Sequence, residues 1–256
     1  MAENRRNFLK AAAASAGALI ASACTPLSEQ AWVADLLGEV ENLTRRAQRL
    51  FAGSHALAPE FGKADIAPVF RSNGTAMPQS EEYAAHAADD FANWRIAVEG
   101  LVDRKLSLSL ADLRGFPART QITRHDCVEG WSCIGQWTGA PLRLILAAAR
   151  PRPEARYVMF FCADPMGGPP GQVPYYYESL DLLEATHPQT LLAYELNGRP
   201  LPIANGAPVR LRAERQLGYK MAKYIQRIVL VENFNRINGG KGGYWEDQGY
   251  NWWAGI

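Results

Sequence analysis

One cysteine and its neighbours constrain this chain most. Between 119 and 146 the sequence reads RTQITRHDCVEGWSCIGQWTGAPLRLIL. A β-prone run, Gln121, Ile122 and Thr123, leads into a polar turn that carries Cys127. Gly130, Trp131, Gly135, Trp137 and Gly139 follow, and Pro141 opens an apolar helix. A thiol at a strand end, flanked by Arg124, His125, Asp126 and Glu129, stands where chemistry is usually placed. The plain alternative is a small hydrophobe buried in a turn. Residue type alone favours that alternative, so the rest of the chain has to decide.

Composition excludes several classes. A chain of 256 residues at 48% hydrophobic can bury a sizeable core. A formal charge of +1, without a basic run, argues against a nucleic-acid partner. Four cysteines (24, 127, 133 and 162) are too few for a disulfide scaffold of this length. None shows the CxxC spacing of a structural zinc site or the CxxCH of an attached haem.

Residues 1–23 read as an export leader rather than as fold. RRNFLK at 5–10 is a basic region with paired arginines, followed by a short apolar run and Ala21-Ser22-Ala23, an A-x-A cleavage signal. The pattern resembles a twin-arginine signal, which implies a periplasmic protein exported folded. Cys24 as a lipid-bearing first residue is the lesser alternative. Apolar residues near helical spacing predict a helix over 28–53, so 24–66 reads as a helical arm and 67–256 as the main domain. Further on, 81–90 favours helix, while 94–102, 106–110, 157–161, 191–196, 208–211 and 224–231 favour strands. The loops are 68–78, MGGPPGQVP after Pro165, and 201–206; Tyr175, Tyr176 and Tyr177 read as a loop wall or a cleft lining. The aromatic tail GGYWEDQGYNWWAGI is expected to pack down on the domain or to present a docking surface. Irregular strands with few long helices predict an α+β fold with a mixed β-sheet in a single main domain.

Four blocks in order carry a family resemblance. They are PVFRSNGTAMP at 68–78, CVEGWS with WTGAPL at 127–142, LLAYELNGRPLPIANGAPVRLR at 191–212, and GYKMAKYI at 218–225. Together they resemble the molybdopterin oxidoreductases of the sulfite-oxidase fold. The single-domain, exported layout is closest to catalytic subunits of periplasmic methionine-sulfoxide reductases.

The resemblance implies a molybdenum–molybdopterin cofactor whose metal takes Cys127 as its sole protein ligand. A soft thiolate suits a metal already held by sulfur donors. It places Asn73, Asn205, Arg210 and Lys223 at cofactor contacts and Cys162 where the pterin passes the sheet. Met221 and Ala222 would offer backbone groups, and Lys220 an extra cation. Arg124, His125 and Tyr176 are the candidates for handling substrate beside Cys127. The implied reaction is oxygen-atom transfer, in the direction of reducing a small-molecule or protein sulfoxide. Oxidation of sulfite or another small sulfur compound is the alternative. Electrons would come from a separate haem-containing protein, and the chain would act as a monomer. Two rivals from other classes are a non-catalytic cofactor-binding module and an enzyme using Cys127 as nucleophile with a histidine.

Overall fold

The computed structural model describes residues 31–53, 56–167 and 174–256. The export leader, Cys24 and residues 168–173 of the MGGPPGQVP loop lie outside them. In chain order the elements are α1 (Ala31–Ala52), α2 (Glu81–Ala88), β1 (Ile96–Gly100), β2 (Leu106–Leu108), α3 (Leu110–Gly115), β3 (Arg119–Cys127), β4 (Trp131–Pro141) and α4 (Leu142–Ala149). Then come β5 (Tyr157–Pro165), β6 (Tyr175–Asp181), α5 (Leu182–Ala185), β7 (Leu191–Leu196), β8 (Arg199–Pro200), β9 (Arg210–Arg212), β10 (Ile225–Val231) and α6 (Tyr244–Asp247). No helix among the described residues is long and apolar enough to cross a membrane.

The chain divides into a unit Met1–Phe51, of which residues 31–51 of α1 are the described part, and a unit Ala52–Ile256. Residues 56–66 therefore go with the larger unit rather than with the arm. Backbone pairing explains this: Phe61 N–H donates to Ile122 O at 2.9 Å, and Glu60 bridges Thr123.

Two five-stranded sheets build the larger unit. One runs β2-β1-β10-β5-β6 and is mixed, because β1 pairs with β10 in parallel while its other pairs are antiparallel. The second runs β3-β4-β7-β8, with β9 also paired to β7, and is antiparallel throughout. This is the α+β architecture that the strand pattern predicts.

Period-two alternation assigns side chains to layers. On β7, Leu192 and Tyr194 enter a large core with Ile96, Val98, Leu146, Phe160, Ile228 and Leu230. Ala193 faces a smaller core with Phe70, Cys133, Trp137 and Leu201, which Leu196 at the strand's end also joins, out of step with the alternation. Short helices are started by side-chain caps. Ser80 accepts from Tyr83 N–H ahead of α2, and Ser109 with Asp112 forms a capping box on α3.

Two strands differ from the sequence reading. Tyr175, Tyr176 and Tyr177 belong to β6, which carries five consecutive buried residues and so shows no alternation. The stretch after Gly130 is the long strand β4, and Gly130 turns the chain between β3 and β4 at φ +84°.

Candidate active site

The site begins with the alternation of β3. Gln121, Thr123, His125 and Cys127 all point inward, and the strand ends on the thiol. Behind them a row of buried polar groups fixes the strand. Gln121 Nε2 donates to Glu214 Oε1 at 2.8 Å. Arg212 pairs with Glu214 at 2.5 Å, and its Nη1 donates to His125 Nδ1 at 2.9 Å. Arginine can only donate, so the proton of His125 sits on Nε2. That Nε2–H is buried without a partner and lies directly under Gly218. Burial, and then Arg212, hold the imidazole well below its ordinary pKa, so it is neutral.

Cys127 opens into a cleft shared by four segments. Asn73, Gly74 and Thr75 come from the upstream loop, Asp164 and Met166 from the end of β5, and Gly218, Tyr219, Met221 and Lys223 from the turn before β10. Trp245 and Tyr250 close the far side from the tail. Lys223 ties two of these segments together. Its Nζ donates to Asn73 O at 2.7 Å, to Ala204 O at 3.0 Å and to Thr75 O. Burial, and then Arg210, push its ammonium down to about 7. Burial likewise pushes the Asp164 carboxyl up to about 6, against a hydrogen bond from Thr75. Burial is also the main reason the Cys127 thiol is raised; a hydrogen bond from the Glu129 backbone opposes it, the Glu129 carboxylate adds to it, and Arg71 opposes it.

Beneath the cleft lies Gly206, at φ +110°, where a Cβ would meet Lys223 Cγ at 2.9 Å and Arg210 Cβ at 3.1 Å. Arg210 is fully buried, donates to Asn205 O at 3.0 Å, and lies over Trp137 at 5.1 Å. Burial and Arg212 lower it to about 9.

The sequence candidates therefore separate. Asn73, Cys127, Tyr176, Met221 and Lys223 line the cleft, whereas Asn205, Arg210, Cys162 and Ala222 are buried around it. Tyr176 lines it with its ring, while its hydroxyl donates to Tyr219 O. Arg124 does not reach it. Alternation puts that side chain on the outer face of β3, where it pairs with Asp126 at 2.8 Å and lines a different cavity. His125 shares the face of Cys127 but is boxed by Phe70, Trp131 and Gly218, so its ring does not line the cleft. Lys220 is not a cleft cation either, because its ammonium is buried between Glu178 and Glu246. Asp164, Met166, Tyr219, Trp245 and Tyr250 are lining residues that the sequence did not assign. The density of aromatics in the tail was the one available signal for the last two.

The polar groups fit a large polar cofactor. Asn73 Oδ1, Asn205 Nδ2, Arg210 Nε and Asp164 Oδ1 are buried without a hydrogen-bond partner in the protein, a costly arrangement unless something else satisfies them. They mix donors and acceptors, as a pterin with a phosphate requires. A lone thiol among them is the donor that a thiophilic metal would use.

Comparisons with known proteins place the chain in a molybdopterin-binding family. A family model described as the oxidoreductase molybdopterin binding domain matches residues 83–236, and the chain belongs to that family. Over 166 residues, 65% of this chain and 57% of the relative, it is 43% identical to the putative protein-methionine-sulfoxide reductase subunit YedZ1 of Azospira oryzae. Over 147 residues, 54% of this chain and 45% of the relative, it is 44% identical to the protein-methionine-sulfoxide reductase catalytic subunit MsrP of Xanthomonas campestris pv. campestris. Its fold is similar to that of the sulfane dehydrogenase SoxCD from Paracoccus pantotrophus, at TM-score 0.52 and 21% identity over 70% of this chain and 46% of that one. The chain spans about half the length of the curated relatives it matches.

Proposed function

We propose that this chain carries a molybdenum–molybdopterin centre and reduces sulfoxides in the periplasm. Cys127 would hold the metal through its thiolate, with Asn73, Asn205, Arg210 and the amides near Met221 holding the pterin. When bound, the cofactor supplies two-electron oxygen-atom transfer. Overall, a sulfoxide would take up two protons and two electrons to give the thioether and water, with the electrons delivered by a separate haem protein. Export through the Arg5-Arg6 leader fits a cofactor that must be inserted before the membrane is crossed.

One observation carries the choice of substrate: among the described residues, no cation with a free charge lines the cleft, and Arg71, which acts on the Cys127 thiol, lies over the Trp131 ring at 4.9 Å outside that lining. The lining contains Glu129 and Asp164, no arginine, and one lysine whose ammonium is taken by three carbonyls. Such a cleft suits a neutral sulfoxide and disfavours a sulfite dianion. Among the described residues, the rival that uses Cys127 as a nucleophile finds no base in His125, which is turned into the Arg212 network, and the thiol is raised rather than lowered.

The test is a substrate screen on molybdenum-loaded protein with a reduced dye. Sulfoxides should turn over, and sulfite should not reduce the enzyme. Sulfite oxidation without sulfoxide reduction would reverse the assignment. Replacing the ligand, Cys127→Ser, should lower turnover by roughly 100-fold or more, since even losing an outer partner of a metal ligand costs about 10–100-fold. Wild-type turnover with unchanged metal spectra in that variant would remove Cys127 from the metal.

A further inference from the structure

The cleft has two sides of different origin. The thiol side comes from within the shared domain, residues 83–236. The facing wall does not, because Trp245 and Tyr250 lie beyond that match. Their rings stack 5.4 Å apart at an interplanar angle of 28°, and Tyr219 meets Tyr250 edge-on at 5.2 Å. Tyr250 keeps 39% of its surface exposed, so its ring is available at the mouth of the cleft.

This wall is carried by little regular structure. Its only helix is α6, four residues long. A buried ion cluster fixes it instead. Lys220 Nζ sits between Glu178 on β6 and Glu246 on α6, and all three side chains are at most 1% exposed. Glu246 is the neighbour of Trp245, and Lys220 lies between Tyr219 and Met221, which line the adjoining edge of the cleft. One ammonium therefore joins three walls of the same cleft. Tyr219 Oη adds a second link by donating to Asn251 O at 2.6 Å. A buried ion cluster is a poor source of stability compared with apolar packing, but it does fix orientation.

We propose that Trp245 and Tyr250 are the specificity-determining residues of this cleft, binding the apolar substituents on the sulfoxide sulfur, and that Lys220 is the positioning residue that holds them. The inference rests on the sulfoxide reading and deepens it. Flat aromatic faces attract polarisable sulfur and the carbons beside it, and offer nothing to a small dianion.

The test uses the molybdenum-loaded full chain with methyl phenyl sulfoxide and dimethyl sulfoxide. Trp245→Ala and Tyr250→Ala should each raise KM for the aryl substrate by about tenfold, the loss of one good ring contact. KM for dimethyl sulfoxide should move far less, and molybdenum content should not change. Lys220→Met should give the same shift and should also speed amide hydrogen exchange across 243–250 in the cofactor-free protein. Glu246→Gln, a milder change, should do so less, and Lys220→Arg should restore part of the protection. An unchanged aryl KM in both ring variants overturns the specificity role. Unchanged exchange in Lys220→Met and Glu246→Gln overturns the positioning role. If the wild type reduces no sulfoxide, the sulfoxide reading and the specificity role fall together, and the exchange arm still decides the role of Lys220.

Discussion

Asp164 shows what single residues at this cleft are made to bear. The carboxyl is 3% exposed, and one of its oxygens has no protein partner. Burial moves its pKa from 3.8 to about 6. Between those values the folded chain holds a proton that the unfolded chain has released, so folding loses stability as pH rises through that window. Above it, the buried charge costs about 3 kcal/mol. Lys223 has the opposite sign. Its pKa falls from 10.5 to about 7, so the unfolded chain binds the extra proton and folding gains stability as pH rises between those values. Asp164→Asn isolates the carboxyl, because it keeps the shape and removes the charge. In cofactor-free protein the variant should match the wild type near pH 4 and exceed it by about 2–3 kcal/mol at pH 8. Urea unfolding at the two pH values gives the comparison, and an equal gap at both would mean that Asp164 does not titrate in this window.

At the scale of elements, the cleft depends on how closely the turn Gly218–Lys220 lies on β3. A Cβ at Gly218 would collide with the His125 ring and come within 3.3 Å of Asp126 O. Gly218→Ala should therefore lift the turn, cost about 1–3 kcal/mol by overpacking, and weaken cofactor retention. Unchanged unfolding and full cofactor occupancy would show that the contact relaxes freely. This contact also marks the limit of what the sequence could say. Strands with clean alternation or compact apolar runs were legible, as β1, β5, β7 and β10 show. β6 was not, because its buried Glu178 is tolerable only once Lys220, far along the chain, is beside it. Cys127, Asn73 and Tyr176 were legible as cleft residues from motif and position. Arg124 was misplaced because proximity in sequence ignores the two-residue period, which turns it away from Cys127. His125 and Lys220 were misplaced because their partners, Arg212 and the two glutamates, are set by folding alone.

For the whole molecule, the question is whether the tail is an ornament or part of the fold. Residues beyond the matched domain complete the core with Trp253 and Ala254. They also close backbone positions left open elsewhere: Leu217 N–H donates to Ala254 O at 2.9 Å, and Ala254 N–H donates to Gln216 Oε1 at 3.2 Å. Above all they bring Glu246 to Lys220. A chain ended after Asn238 would leave Lys220 with Glu178 alone, and breaking a buried ion cluster costs about 3–5 kcal/mol. In a unit of this size that corresponds to a drop in Tm of roughly 10 °C, measurable by circular dichroism on cofactor-free protein. Packing loss would lower Tm as well, so a second variant separates the causes. Lys220→Met in the full chain leaves two buried carboxylates without their cation and should destabilise it. The same change in the shortened chain leaves only Glu178 buried without its cation, and should cost less. If Lys220→Met lowers Tm equally in both chains, the tail contributes packing alone and Glu246 does not act through Lys220.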